Sequence, residues 1–227
     1  MAKEMYVVGG SKGGVGKSFV STGLIDTLMY RNENVLLIES DTSNPDVWKM
    51  YKDSVRAELI DLDTADGWID LVNVCDSEPE SVVVVNTAAR NNRGVVTYGT
   101  TLSSTLEEMQ RTLRTLWVIN RQRDSLELLK EYLDALPSTV VHVVRNGYFG
   151  DERKFELYNS SKIRKTIEAA DGKSLTFPDL ADRVSDDLYS NRMSISKALT
   201  ELPIGNRAEL TRWRNQMHKV LGEVIDG

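Results

Sequence analysis

Cysteine is all but missing from this chain: its 227 residues include one, Cys75. That excludes an intrachain disulfide and a cysteine-built zinc or iron–sulfur site within one chain, and it fits a reducing compartment. Long apolar runs are missing too. The longest unbroken aliphatic stretch, Val82 to Val85, is far short of the ~20 residues that span a bilayer. The opening "MAKEMYVVGG" holds no apolar segment of signal-peptide length. A basic surplus is absent: 28 Lys and Arg stand against 34 Asp and Glu, for a net charge of -6. A surface that binds nucleic acid all over would be basic, so any such contact is a local patch. The two histidines, His142 in a strand pattern and His218 in a helical one, have no partner at a useful spacing and read as structural. No internal repeat or low-complexity segment occurs.

What is present is ordinary for a globular protein: 41% apolar and 27% charged residues. The length suits one substantial core, so residues 1–227 are expected to form a single domain. Short apolar runs alternate with helical patterns. Met5–Val8, Val35–Ile38, Val82–Val85, Leu116–Ile119, Thr139–Val144 and Leu175–Phe177 read as strands, continuous in character as expected for a sheet covered on both faces. Lys17–Tyr30 is a helix with Val20, Leu24 and Leu28 on one stripe. Ser125–Leu136 is a second helix, ended by Pro137, and Arg207–Ile225 a third, striped by Leu210, Trp213, Met217, Val220, Leu221 and Val224. Alternating strands and helices predict an α/β fold, doubly wound, with a mostly parallel sheet and helices on both faces. Asp41–Asp76, Asn86–Ser103 and Asn146–Lys173 read as the least regular stretches. Each follows or includes a strand end, where such folds bind ligands.

One such stretch is "GGSKGGVGKSFVS", residues 9–21, between the first strand and the first helix. Gly13, Gly14 and Gly16 let the backbone turn its N–H groups toward an anion, and the helix start adds the positive end of its dipole. Lys17 would reach the β- and γ-phosphates and Ser18 would offer a hydroxyl to Mg²⁺. The general phosphate-loop pattern, G-x-x-x-x-G-K-[ST], fails at its first position, which is Ser11.

"KGGVGKS", Lys12 to Ser18, is the deviant phosphate loop of the ParA/MinD family of dimerising ATPases, which this chain resembles. The resemblance implies a P-loop NTPase of the SIMIBI type. It implies that Gly13, Gly14, Val15, Gly16, Lys17, Ser18 and Phe19 hold ATP. It also implies that Lys12 crosses an ATP-dependent sandwich dimer to touch the phosphates held by the partner. A cation supplied in trans acts as an arginine finger does. In "LLIESDTSNPD" the resemblance gives Asp41 the attacking water and a place in the Mg²⁺ shell, with Glu39 in support. The turn chemistry of the same residues is the plain alternative. After "VVVV" the family has aspartate; here Asn86 stands, an acceptor without charge, so metal affinity and hydrolysis are expected to fall. Asn146, after the strand Thr139–Val144, would read adenine, although Asn-Gly is also a turn dipeptide. No N-K-x-D or T-K-x-D stretch for guanine is present, "NRQRD" having one residue too many, which favours ATP over GTP.

Within the family the general likeness is to plasmid-encoded StbB/TraL-type proteins of stability and conjugative transfer. The implied setting is a bacterial cytoplasm, with nucleoid association if DNA is touched, and a protein partner that stimulates hydrolysis. The nitrogenase-reductase branch is excluded, since one cysteine per subunit cannot build its cluster. Two rivals stay open: a nucleotide-binding adaptor with little hydrolysis, suggested by Asn86, and a small ATP-dependent metabolic ligase or kinase, for which no separate catalytic groups are visible. The last helix reads as a core helix rather than one lying on a membrane. The clusters Arg111/Arg114/Arg121/Arg123 and Arg153/Lys154/Lys162/Arg164/Lys165 read as a solvated face, with a weak, non-specific DNA contact as the alternative.

Overall fold

A computed structural model describes residues 3–10, 12–89, 92–136 and 139–226, without the side chain of Asn92. Ser11 and Pro137, both singled out above, lie outside them. The chain runs β1 (Lys3–Gly10), α1 (Lys17–Tyr30), β2 (Val35–Glu39), α2 (Asp46–Tyr51), β3 (Arg56–Leu59), α3 (Ala65–Ser77), β4 (Val82–Asn86) and α4 (Asn92–Ser103). It continues as β5 (Arg111–Ile119), α5 (Asp124–Ala135), β6 (Val140–Asn146), α6 (Glu156–Asn159), α7 (Lys162–Ala169), β7 (Ser174–Phe177), α8 (Asp182–Ser190), α9 (Ile195–Glu201) and α10 (Ile204–Ile225). The three stretches read as irregular therefore hold α2, β3, α3, α4, α6 and α7.

The strands form one seven-stranded sheet in the order β3-β2-β4-β1-β5-β6-β7, and every pairing is parallel. Alternate residues of β1 enter opposite cores. Tyr6 and Val8 join α1, α2, α8, α9 and α10 on one face. Met5 and Val7 join α3, α4, α5, α6 and α7 on the other. Double coverage is why the inner strands are aliphatic throughout. It is also why β1, flanked on both sides, opens its C-terminal end into a crevice between the helix layers.

The stripe of α10 is core: Leu210, Trp213, Met217, Leu221 and Val224 are buried, Val220 partly so, and the helix packs on α1. Polar groups lock the same interface. The buried Asp26 carboxylate accepts from Arg214 Nε at 2.7 Å, and its other oxygen from a terminal guanidinium nitrogen at 3.1 Å. His218 Nε2 adds a contact at 2.7 Å, so this histidine does have a partner. Two of the arginines read as surface charge are structural as well. Arg111 is buried and donates to the carbonyls of Cys75, Glu78 and Ser81, placing a positive charge where α3 ends. Arg114 pairs with Glu4 at 3.1 Å.

His142 lies buried in β6 with Nδ1 accepting from the Lys173 backbone N–H at 3.1 Å, while Nε2 has no partner among the described residues. Burial, with Arg114 and Lys173 nearby, pushes its pKa down from 6.5 to about 4. Between these values the unfolded chain binds a proton that the native state refuses, so stability is lost as the pH falls. His142→Asn should reduce the stability lost between pH 7 and pH 5 by about 2 kcal/mol, read from urea unfolding at both pH values. An unchanged difference would assign the acid sensitivity to other groups.

Candidate functional site

β1 leaves the sheet through Gly9 and Gly10, and α1 begins seven residues later at Lys17. Gly14 (φ 78°) and Gly16 (φ 102°) adopt left-handed backbone that only glycine takes without strain. α1 has no side-chain cap and no acidic residue in its first turn. Its first N–H groups and the positive end of its dipole are therefore available to an anion.

Lys17 sits directly behind this turn. It is only 7% exposed, and its ammonium donates to the Lys12 carbonyl at 3.0 Å. Burial lowers its pKa to about 8, while the nearby Asp41 carboxylate acts in the opposite direction. A buried ammonium satisfied by one carbonyl gains from a bound anion, which restores its charged form. Lys12 behaves differently. Its side chain is exposed and reaches an ion pair with Asp124, the first residue of α5. The two lysines of one loop thus have different surroundings, one facing the helix start and one facing outward.

Asn86, at the end of β4, is 1% exposed. Its oxygen accepts from Ser21 Oγ at 2.8 Å and its amide nitrogen donates to Glu39 Oε1 at 2.8 Å. The same Glu39 oxygen accepts from the Asp41 N–H at 3.0 Å. Burial pushes the Glu39 carboxyl up to about 7, against the hydrogen bonds from Asn86 and Asp41. A continuous polar chain therefore links α1, β4 and the loop that leaves β2. Asp41 itself accepts from the Asn44 N–H at 3.1 Å, so its turn role is present beside its proximity to Lys17.

Asn146, at the end of β6, reaches back to the loop. Its amide nitrogen donates to the Val15 carbonyl at 2.9 Å and its oxygen accepts from the Tyr148 N–H at 3.1 Å. A Cβ on Gly16 would fall 2.3 Å from that nitrogen. The residue expected to read the base is in this structure a latch on the phosphate loop. Phe19 turns its ring away from the loop and stacks on Trp213 at 5.0 Å between centroids, edge-on to Phe177 at 5.7 Å, which leaves only its backbone for a ligand.

The donor set suits Mg²⁺ beside phosphates. Such an ion takes one or two protein oxygens and fills its shell with water and phosphate, and Ser18 and Asp41 supply hard oxygens next to Lys17. Asn86 has its amide oxygen on Ser21 and its nitrogen on Glu39, so what it keeps for a metal's water shell is the second lone pair of that oxygen. Two participants escaped the sequence reading: Ser21, one helical turn beyond Lys17, and Asp124, at the start of α5. A carboxylate opening the helix that follows β5, the strand beside β1, is the signal that could have pointed to Asp124.

Residues 6–148 match the family described as the CobQ/CobB/MinD/ParA nucleotide binding domain. The chain is 71% identical over 225 residues to Protein MobD of Acidithiobacillus ferrooxidans, covering 99% of each sequence. Its fold is similar to the MinD cell division protein of Aquifex aeolicus, with TM-score 0.55, 15% identity and coverage of 95% of this chain and 97% of that one. A nucleotide-binding protein of Archaeoglobus fulgidus, solved in complex with ADP, superimposes with TM-score 0.51 at 13% identity, over 88% of this chain and 91% of that one.

Proposed function

The chain belongs to the CobQ/CobB/MinD/ParA nucleotide-binding family, and from that premise we propose that it is an ATPase whose ATP-bound form is a sandwich dimer. In this reading residues 1–227 make one nucleotide-binding domain, and its work is plasmid mobilisation, the role suggested by the name MobD of its 71% identical relative. The finer likeness to StbB/TraL-type proteins points the same way. The carrying observation is the contrast between the two lysines of the loop, Lys17 buried at the helix start and Lys12 exposed on the rim.

In the dimer the loop backbone from Gly13 to Phe19 cradles the phosphates. Lys17 neutralises its own nucleotide, and Lys12 leaves Asp124 to offset charge on the partner's. Asp41 orients the attacking water. Mg²⁺, when bound through Ser18 and Asp41, supplies charge neutralisation of the phosphate oxygens. Glu39 and Asn86 hold the Asp41 backbone against β4 and so set where that carboxylate stands. Loss of the γ-phosphate removes the bridge, and the population returns to monomer. A partner protein that accelerates hydrolysis would time this return.

A second reading, a nucleotide-dependent adaptor that hydrolyses little, is favoured by the uncharged Asn86. Light scattering with and without ATP·Mg²⁺ tests the main one. Wild type should double in mass with ATP and revert as ATP is consumed, and Asp41→Ala should remain dimeric for as long as ATP is present. A wild-type protein that stays monomeric at every ATP concentration overturns the proposal, and one that dimerises without turnover selects the adaptor.

A further inference from the structure

A cavity of about 720 Å³ opens at the end of the sheet opposite the phosphate loop, where β1, β4 and β5 begin. The length of β1 sets the two about 25 Å apart. The volume lies within the range of small-molecule sites. Five carboxylates line it, Glu4, Glu33, Asp76, Glu80 and Glu108, against one ammonium, Lys3. Glu4 and Glu33 are paired, with Arg114 at 3.1 Å and Lys3 at 3.2 Å. Among the described residues Asp76, Glu80 and Glu108 make no ion pair.

Two further features define what would fit. Leu28, Val82 and Met109 share the lining with the carboxylates, and among the described residues no three acidic, histidine or cysteine groups converge tightly enough to hold a metal ion. A divalent cation, which needs converging oxygens at 2.0–2.6 Å, is therefore a poor match. Separated negative charges across an apolar floor match positive charges separated by methylene groups. The Tyr6 hydroxyl supplies the second feature. Tyr6 is 1% exposed and lines the cavity, yet its hydroxyl has no hydrogen-bond partner among the described residues. Burial, with Glu4 adjacent, pushes its pKa up to about 12, so it remains a neutral phenol able to accept from an ammonium.

We propose that this cavity binds a linear aliphatic polyamine, its ammonium groups on Glu80, Glu108 and Asp76 and one N–H on the Tyr6 hydroxyl. The site is independent of the nucleotide site, and the test needs no ATP. Spermidine is titrated calorimetrically into the nucleotide-free full chain at low salt, with Mg²⁺ and a hexalysine peptide as comparison probes. Wild type should bind one spermidine saturably at micromolar concentration, at least tenfold more tightly than Mg²⁺. Glu80→Gln/Glu108→Gln should weaken binding at least tenfold. Tyr6→Phe should weaken it about fivefold with its melting temperature preserved, since the lost hydroxyl bonds nothing among the described residues. Spermidine binding no tighter than Mg²⁺, variants that bind as wild type does, or uptake of hexalysine alone would each overturn the assignment.

Discussion

Lys12→Ala should lower ATP turnover by about 10³-fold, the lower end of what a cation supplied in trans contributes to phosphoryl transfer, while ATP binding to the single chain changes little. The split follows from the two lysines. Lys17 is buried and bonds the Lys12 carbonyl, whereas Lys12 is exposed and holds Asp124 of its own chain. In the proposed dimer that ion pair would be a competitor. The two side chains are 54% and 28% exposed, so the pair contributes at most about 1 kcal/mol. Asp124→Asn, which keeps an acceptor at the start of α5 but removes the charge, should lower the protein concentration needed for ATP-dependent dimerisation by up to about 30-fold, since each of the two chains gives up one such pair. Single-turnover hydrolysis and light scattering on the two variants read these opposite effects. Normal turnover in Lys12→Ala would remove the in-trans role altogether.

The second large effect is expected at position 86. Replacing asparagine by the family's aspartate appears, from sequence, to be a route to faster hydrolysis. The structure changes that expectation. Asn86 donates to Glu39 at 2.8 Å with both side chains buried, so Asn86→Asp sets two carboxylates in contact where the one N–H donor between them has been lost. The Glu39 carboxyl, already pushed up to about 7, takes a proton and relieves the clash near neutral pH; at pH 9, where holding that proton is itself unfavourable, the pair costs about 3 kcal/mol. For a chain of this size the melting temperature at that pH should fall by roughly 6–12 °C. Glu39→Gln/Asn86→Asp restores the pairing with the charge moved across it and should recover most of the loss. Thermal unfolding of the single and double variants at pH 9 decides the matter. If the single variant is as stable as wild type, Glu39 is not the partner that fixes Asn86. Only the double variant can report what a carboxylate at position 86 does for turnover.

The sequence patterns made the inner sheet legible because burial on both faces writes itself as aliphatic runs: β2 and β4 lie within a residue of their expected bounds, and α1 matches at both ends. Edges and helix caps were less readable. β3, "RAEL", is four residues at the rim of the sheet with a mostly unburied pattern, and nothing in it distinguishes a strand from a loop. β5 begins five residues before its aliphatic run because Arg111 and Arg114 carry the strand's first half. Their charges are satisfied by carbonyls after α3 and by Glu4, and a linear reading cannot supply those partners. α8 and α9 are short amphipathic pieces whose apolar residues are too few to establish a period.

The same contrast governs the site. The loop is readable because its chemistry is local: glycines, two lysines and a serine in one stretch. The rest depends on pairings across the chain. Asn86 finds Glu39 over 47 residues and Asn146 finds Val15 over 131. Asp124 looks, in sequence, like part of a failed guanine motif. Its relation to Lys12 emerges only because β5 lies beside β1.

That adjacency also bears on how the protein comes into being. β1 is made well before the strands it pairs with, β4 and β5, its residues Met5 and Lys3 aligning with Val83 and Arg111. At ordinary rates of synthesis the ribosome needs roughly 5–20 s to deliver the intervening chain. For that time the glycine loop has no sheet behind it, and an aliphatic strand with both edges bare must be kept from sticking elsewhere. The glycine loop, made ahead of β4 and β5, thus takes its shape only after they arrive.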